Sequence, residues 1–258
     1  FVYQMKLAKM LRYTIFLGVL ISITSCAVKE PSALSIIDKS IESAGGELYQ
    51  NAEITFDFRD HSYRVKRQNG LFEMSRFTYL SEDSTINDFV YNYGYKRFLN
   101  DSMISVPDSI APRYKASVNS VIYFACLPYG LNDHAVEKSL LGRKEINRIS
   151  YYKIRVTFKE QGGGEDFQDQ FIYWVNPENY NIDFLAYEYF SDGGGLRFRQ
   201  AFNSREVSGI RFNDYINFKP KTDLDVNLEN IDDHFIAGDL EELSRIQTEN
   251  VSVSILSK

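Results

Sequence analysis

Along residues 150–219 apolar and polar side chains alternate, and turn residues interrupt the alternation at short intervals. A period of two sends successive side chains to opposite faces of a strand, so this stretch reads as an antiparallel meander. Tyr152, Ile154, Val156 and Phe158 share one strand face. Phe167, Phe171, Tyr173 and Val175 share the next, with Ile172 and Trp174 behind them. Ile182, Phe184 and Ala186 stand against Leu185, Tyr187 and Tyr189. Leu196, Phe198 and Phe202, then Ile210, Phe212, Ile216 and Phe218, complete the series.

In such a meander alternate turns fall on the same rim of the sheet. Gly162–Gly164 join the first strand to the second, and Gly193–Gly195 join the third to the fourth. Both loops therefore belong to one rim, which gathers Glu165, Asp166 and Asp192 near Arg197 and Arg199. These charges form either the polar mouth of a pocket or a set of solvated hairpin loops. The aromatic share is 15%, with 18 Tyr and 19 Phe but one Trp. That bias suits strands buried on one face and partly exposed on the other.

The chain has 258 residues and a net charge of −6. Lys6, Lys9 and Arg12 precede Cys26 with no acidic residue among them, so the remainder carries 26 basic against 35 acidic residues, or −9. An acidic body argues against nucleic acid as a partner, and against electrostatic attachment to an anionic bilayer. The first segment supplies another route. The basic start is followed by an apolar run from Tyr13 to Ile21, short for a transmembrane helix but suited to a secretory signal. Met5 is the expected start of translation. Ile23-Thr24-Ser25-Cys26 resembles a bacterial lipobox: an aliphatic residue, two small ones, then the cysteine that receives the acyl groups. Residues 1–25 are thus expected to be a lipoprotein-type signal peptide, 26–32 the lipidated cysteine and a tether, and 33–258 the folded domain. Acylated Cys26 would hold the protein on a membrane, since two or three chains anchor stably. Ala27 after the cysteine is similar to the sorting pattern for the outer membrane. With Cys26 modified, Cys126 has no partner for a disulfide, and its apolar run VIYFACLP suggests a buried, inert thiol.

Along the domain, Ala33, Leu34, Ile37, Ile41 and Ala44 recur at helical spacing, with Ser32 as N-cap and Gly45-Gly46 as the stop. Strands follow around Ile54–Phe58 and Tyr63–Val65, and Asn69-Gly70 marks a tight hairpin. Ile86–Tyr93, Tyr95–Leu99 and Met103–Val106 read as further strands. Tyr114, Val118, Val121, Ile122 and Ala125 define one face of a second helix that opens near Pro107-Asp108. The tail reads as a strand near Leu140–Ile146, the meander, a helical patch from Ile231 to Leu243 and a last strand through Val251, Val253 and Ile255. The expected class is α+β: a single strongly curved antiparallel sheet, a half-barrel, with two main helices over its concave face.

The lipobox, the first helix ending in Ala44-Gly45-Gly46, the run Val121–Asp133, and the pair GGGEDF (Gly162–Phe167) and DGGGLRFR (Asp192–Arg199) resemble a family of uncharacterised bacterial lipoproteins. The helix–sheet order is similar to the lipoprotein-carrier half-barrel of the LolA/LolB type. The resemblance implies a sheet that holds acyl chains under helical lids, and it supplies no residue roles.

No nucleophile elbow, no His-Glu-x-x-His zinc motif and no phosphate loop occurs, and no cofactor is expected. His61, His134 and His234 are far apart in sequence, and Glu165, Asp166 and Asp169 lack the alternating ligands of a calcium loop, so no metal is expected. Three functions follow in order. The first is binding or carrying a lipid-like or amphiphilic ligand, with Tyr152, Ile154, Phe171, Tyr173, Phe184 and Phe198 as lining residues. The rim would be Glu165, Asp166, Asp192, Arg197 and Arg199. The second is an envelope protein-interaction module working through a sheet edge. The third is a hydrolase using the rim carboxylates. The aromatics could equally fill a closed core.

Overall fold

The computed structural model describes residues 30–221 and 224–257, and of Asp192 the backbone alone. The basic start, the apolar run and Cys26 lie outside the described residues. Contacts separate Phe1–Pro31 from Ser32–Lys258, and every described helix and strand belongs to the latter unit. Among the described residues no helix is long and apolar enough to cross a membrane.

Ser32 caps α1 (Ala33–Ser43), its hydroxyl accepting from Ser35 N at 3.1 Å. Such a cap satisfies one of the orphan N–H groups of the first turn. Six strands follow: β1 (Ala52–Phe58), β2 (His61–Gln68), β3 (Leu71–Ser81), β4 (Ser84–Tyr91), β5 (Gly94–Leu99) and β6 (Ser102–Ile104). Asn69 and Gly70 both take positive φ, 52° and 78°, as the two-residue turn between β2 and β3 requires. Then come α2 (Ala111–Ala125), with Pro112 in its first turn, and β7 (Val136–Ile146), β8 (Ile149–Phe158), β9 (Gln170–Val175) and β10 (Ile182–Tyr189). The chain ends in β11 (Gly195–Val207), β12 (Ile210–Pro220), α3 (Ile231–Ala237), β13 (Leu240–Ile246) and β14 (Glu249–Ile255). The helical patch expected to reach Leu243 stops at Ala237, because Leu240 already pairs with Pro220 as strand.

The single curved sheet of the sequence reading is corrected to two antiparallel sheets of seven strands, not closed into a barrel. Their orders are β14-β1-β2-β3-β4-β5-β6 and β13-β12-β11-β10-β9-β8-β7. The break falls at the turn between β13 and β14. There Thr248 is pulled off the ladder: its N–H donates to Asp214 Oδ1 at 3.1 Å, and Arg205 Nη2 donates to its carbonyl at 2.6 Å. Arg205 also pairs with Asp214 at 3.0 Å, next to a bulge where the β11–β12 register shifts between Phe202 and Arg205. A bulge bends its strand. Beyond it Ile210 and Phe212 of β12 enter the core of the first sheet.

Three apolar cores result. The first joins Ile54, Phe56, Tyr63, Val65 and Val90 to Val118, Ile122 and Ala125 of α2. The second packs Ala33, Ile36 and Ile37 of α1 on Tyr152, Ile154, Tyr173 and Val175. The third lies on the opposite face of the second sheet, where α3 and its approach cover Trp174, Phe184 and Phe198. Burial on both faces explains why β9 reads QFIYWV, with no polar residue after its first position.

One ionic contact ties α2 to the first sheet. Asp88 is fully buried and accepts from Arg76 Nη2 at 2.8 Å, from Arg97 Nε at 2.7 Å and from the Tyr95 hydroxyl. Arg76 Nη1 reaches Ser117 Oγ of α2 at 2.8 Å, and the Arg97 guanidinium lies 3.5 Å from the Tyr114 ring centroid. Removing one partner of a buried ionic cluster leaves the others uncompensated, which costs about 3–5 kcal/mol. Asp88→Ala should therefore lower unfolding free energy in urea by about that amount. A loss below about 1 kcal/mol, the size of a solvated surface pair, would contradict this account.

Candidate functional site

Residues paired across neighbouring strands lie on the same face of a sheet. Following the pairs across the second sheet gives rows of inward-facing side chains. Nearest the glycine rim runs Val156–Phe171–Tyr187–Arg197. The next row is Ile154–Tyr173–Leu185–Arg199–Asn217–Ser244, and deeper still runs Ala201–Tyr215–Ile246. Each of the first two rows begins apolar on β8–β10 and turns polar at β11. The apolar half is covered: α1 seals Tyr152, Ile154 and Tyr173, while Tyr123 and Phe124 of α2 sit over Phe171 and Tyr187. The polar half is left beneath a cavity of about 660 Å³. Its opposite wall is α2, through Asn119, Ser120, Tyr123 and Phe124.

The aromatic wall is continuous. Ring centroids are 5.3 Å apart for Phe124–Tyr187, 5.6 Å for Phe171–Tyr187, 5.7 Å for Phe158–Phe171 and 6.0 Å for Tyr187–Tyr189. The Tyr123 and Tyr173 hydroxyls are 2.6 Å apart, so the deepest polar atoms of that wall satisfy each other. Burial drives the Tyr173 pKa well up and pushes Tyr215 up to about 12, so both phenols stay neutral at ordinary pH.

Two arginines stand in this setting. Arg197, half-buried, donates to Tyr189 Oη and to the Leu196 carbonyl, each at 2.9 Å. Arg199 is only 7% exposed, and its guanidinium lies 3.9 Å from the Phe124 centroid and 4.9 Å from that of Tyr187. Its hydrogen bond among the described residues runs from Nη2 to Tyr187 Oη at 2.7 Å, while Nε is sealed from solvent with no acceptor. No carboxylate among the described residues pairs with it. Burying a charge costs several kcal/mol, whereas desolvated stacking on aromatic rings returns about 2 kcal/mol or somewhat more. Stacking alone leaves Arg199 under-compensated. Nearby, Asn213 Oδ1 and Asn217 Oδ1 are buried and lack a donor.

The rim is formed by the loop after β8, which brings Gly163, Glu165, Asp166 and Asp169 to the cavity, and by Ser191 after β10. Phe190 N donates to Asp169 Oδ1 at 3.3 Å and ties the two loops. Gly163 has a packing reason: a Cβ there would come within 2.3 Å of the Lys159 carbonyl oxygen and 2.8 Å of Phe167 Cβ.

Of the residues singled out from sequence, Phe171, Glu165, Asp166, Arg197 and Arg199 line the cavity together. Tyr152, Ile154 and Tyr173 share that face but lie under the helices. Phe184 and Phe198 do not reach it. Phe184 pairs with Trp174 and Phe198 with Ala186, on the other face, and Phe198 stacks on Phe235 at 4.5 Å. The Asp192 side chain lies outside the described residues. Sequence reasoning passed over Asn213, Tyr215 and Asn217, although their every-other-residue spacing in β12 was a signal that the inner face turns polar. It also passed over Ser120, Tyr123 and Phe124, because a helix period does not disclose which neighbour each side meets. Among the described residues no group of His, Cys, Asp and Glu is placed to hold a metal ion. Cys126 is buried in the first core, and burial pushes its thiol pKa up.

Asp169 is pushed up to about 6 from its ordinary 3.8, chiefly by burial; the Asp166 charge adds to this and the Phe190 N–H opposes it. The folded chain therefore holds this proton more tightly than the unfolded chain does. The group's contribution to stability falls as pH rises from about 4 through about 6, and the cost is complete above that. Asp169→Asn should match the native chain near pH 3.5 and exceed it at pH 7, the gap opening across that interval. Denaturation curves separated by a constant amount at every pH would contradict the assignment.

The family model described as a family of unknown function, DUF6503, matches residues 11–245. No curated protein matches the chain. Among solved structures it is similar to a LolA superfamily protein from Nitrosomonas europaea, with a TM-score of 0.48 and 14% identity over 89% of this chain and 95% of that one. It is also similar to a DUF1329 family protein from Desulfovibrio piger, at 0.41 and 10% over 88% and 95%. The Mycobacterium tuberculosis lipoprotein LppX is similar at 0.29 and 12% over 62% and 88%. At such scores none of these likenesses assigns a ligand. The match over residues 11–245 places the chain in the DUF6503 family, a family of unknown function.

Proposed function

We propose that this chain is a bacterial envelope lipoprotein, held to the outer membrane through acylated Cys26, that binds a lipid-like or amphiphilic molecule in the cavity under α2. The observation that carries the binding reading is the cavity itself. Its volume of about 660 Å³ falls within the usual range of small-molecule sites, and it is walled by Phe124, Phe158, Phe171 and Tyr187 on one side and by polar groups on the other. The space takes at least one acyl chain with its head. Burying a chain against these rings is favourable by about 0.8 kcal/mol per methylene, so a single chain suffices for useful affinity.

The anchor reading rests on the spacing of basic start, apolar run and Ile23-Thr24-Ser25-Cys26. Cells expressing the chain and fed labelled palmitate should incorporate label into it, and Cys26→Ala should abolish incorporation. Label retained by that variant would remove the tether.

Ser120 sits on the exposed face of α2 and lines the cavity. Ser120→Trp fills the space without touching any of the three cores. It should weaken displacement of a fluorescent fatty-acid probe by about tenfold or more while leaving the melting temperature close to that of the native chain. Unchanged probe affinity in a well-folded Ser120→Trp chain would place binding elsewhere.

A further inference from the structure

Resting on that reading, we infer that the ligand is an amphiphile with an anionic head, and that the head lies inside, against Arg199. Across the inner face of the second sheet the apolar surface ends at β11, and the first side chain of the polar half in the second row is Arg199. It is 93% buried, given its 7% exposure, and it lines the cavity. Four of its five N–H donors have no acceptor among the described residues: one hydrogen bond runs to Tyr187 Oη, the guanidinium stacks on Phe124 and Tyr187, Nε is sealed, and Nη1 is not.

Several partly or deeply buried cations have a carboxylate: Arg76 and Arg97 share Asp88, Lys153 meets Asp232 at 2.6 Å, and Arg205 meets Asp214 at 3.0 Å. Arg67, 9% exposed and stacked on Tyr129 at 4.4 Å, likewise has no ion pair among the described residues, but it lines a different pocket. At Arg199 the counter-charge is missing, and the cavity occupies the place where one would stand. The carboxylates at the cavity, Glu165, Asp166 and Asp169, belong to the rim loop rather than to the wall beside Arg199, and the first two are exposed. Arg197 stands two residues along β11 toward that rim, about 7 Å away along the strand. The interior therefore presents a desolvated positive charge flanked by aromatic rings. A carboxylate or phosphate monoester completes the ion pair, and its alkyl chain lies on Phe124, Tyr187 and Phe171.

A purely structural Arg199, present only to stack Phe124 of α2, predicts no headgroup preference. The test uses the full chain in amphipol and four probes sharing one tetradecyl-length chain: tetradecanoate, tetradecyl phosphate, tetradecanol and tetradecyltrimethylammonium. Isothermal titration should give at least about tenfold tighter binding of an anionic probe than of the alcohol, with the cation weakest. Whichever of tetradecanoate and tetradecyl phosphate binds tighter identifies the head. In Arg199→Gln the preference should collapse while the alcohol still binds, and Arg199→Lys should restore part of it. Equal affinity for anion and alcohol in the native chain would overturn the anionic head and leave the cavity reading standing. Failure of all four probes to bind would overturn the cavity reading itself. The native chain alone supplies the anion–alcohol comparison, so the headgroup preference is read even if Arg199→Gln does not fold.

Discussion

The seating of α2 between the two sheets is the contact on which the rest of the architecture depends. One side of the helix gives Val118, Ile122 and Ala125 to the first core. Another side gives Tyr123 and Phe124 to the second. A third side, with Asn119 and Ser120, is exposed and becomes the cavity wall. An amphipathic helix usually has one apolar stripe to bury. Here the stripe is wide enough to serve two sheets, and the two sheets cannot both close on the helix along its whole length. The gap that remains is the cavity.

Electrostatics decide how firmly the helix sits. Arg76 and Arg97 bring two positive charges to one buried carboxylate, and both reach α2 through Ser117 and Tyr114. On the other sheet Arg199 reaches the same helix through the Phe124 ring, without a carboxylate. The two attachments differ in kind. The first is a satisfied ionic cluster whose loss would be felt as stability. The second is a cation held by rings and one phenol, so its energy depends on what else enters the space beside it. A ligand that alters that balance would be felt by the helix through Phe124.

The alternation that marks the meander translates well into strands, because a period of two survives any detail of packing. Ser32 as a cap, the stop after Ala44 and the Asn69-Gly70 turn were legible for the same reason: each is settled within a few residues. What failed to be legible depends on contacts between distant segments. The division into two sheets is made by Asp214, Arg205 and Thr248, whose meeting at one corner has no local signature. Phe184 and Phe198 were read as inward because they alternate correctly within their own strands. Facing is carried across a turn only when loop length and register are known, and the β9–β10 register shifts between Ile182 and Phe184. A third core beneath α3 could then claim both rings.

The rim shows the opposite case, where topology alone was enough. Alternate hairpin loops must fall together, and the loop after β8 and the loop after β10 do meet, joined from Phe190 to Asp169. What the sequence could not convey is the asymmetry behind that rim. Large aromatics on β9 and β10 face a helix, while arginine and asparagine on β11 and β12 face empty space. A closed core would place apolar residues at Arg199, Asn213 and Asn217, since each is nine-tenths buried and each carries a polar atom with no partner. Leaving three such groups around one space is costly for a core, as every unsatisfied buried group loses its hydration without return. Arg199 differs from the two asparagines in that its Nη1 is neither hydrogen-bonded nor sealed, so that face of the guanidinium is the part of the group that opens to the cavity.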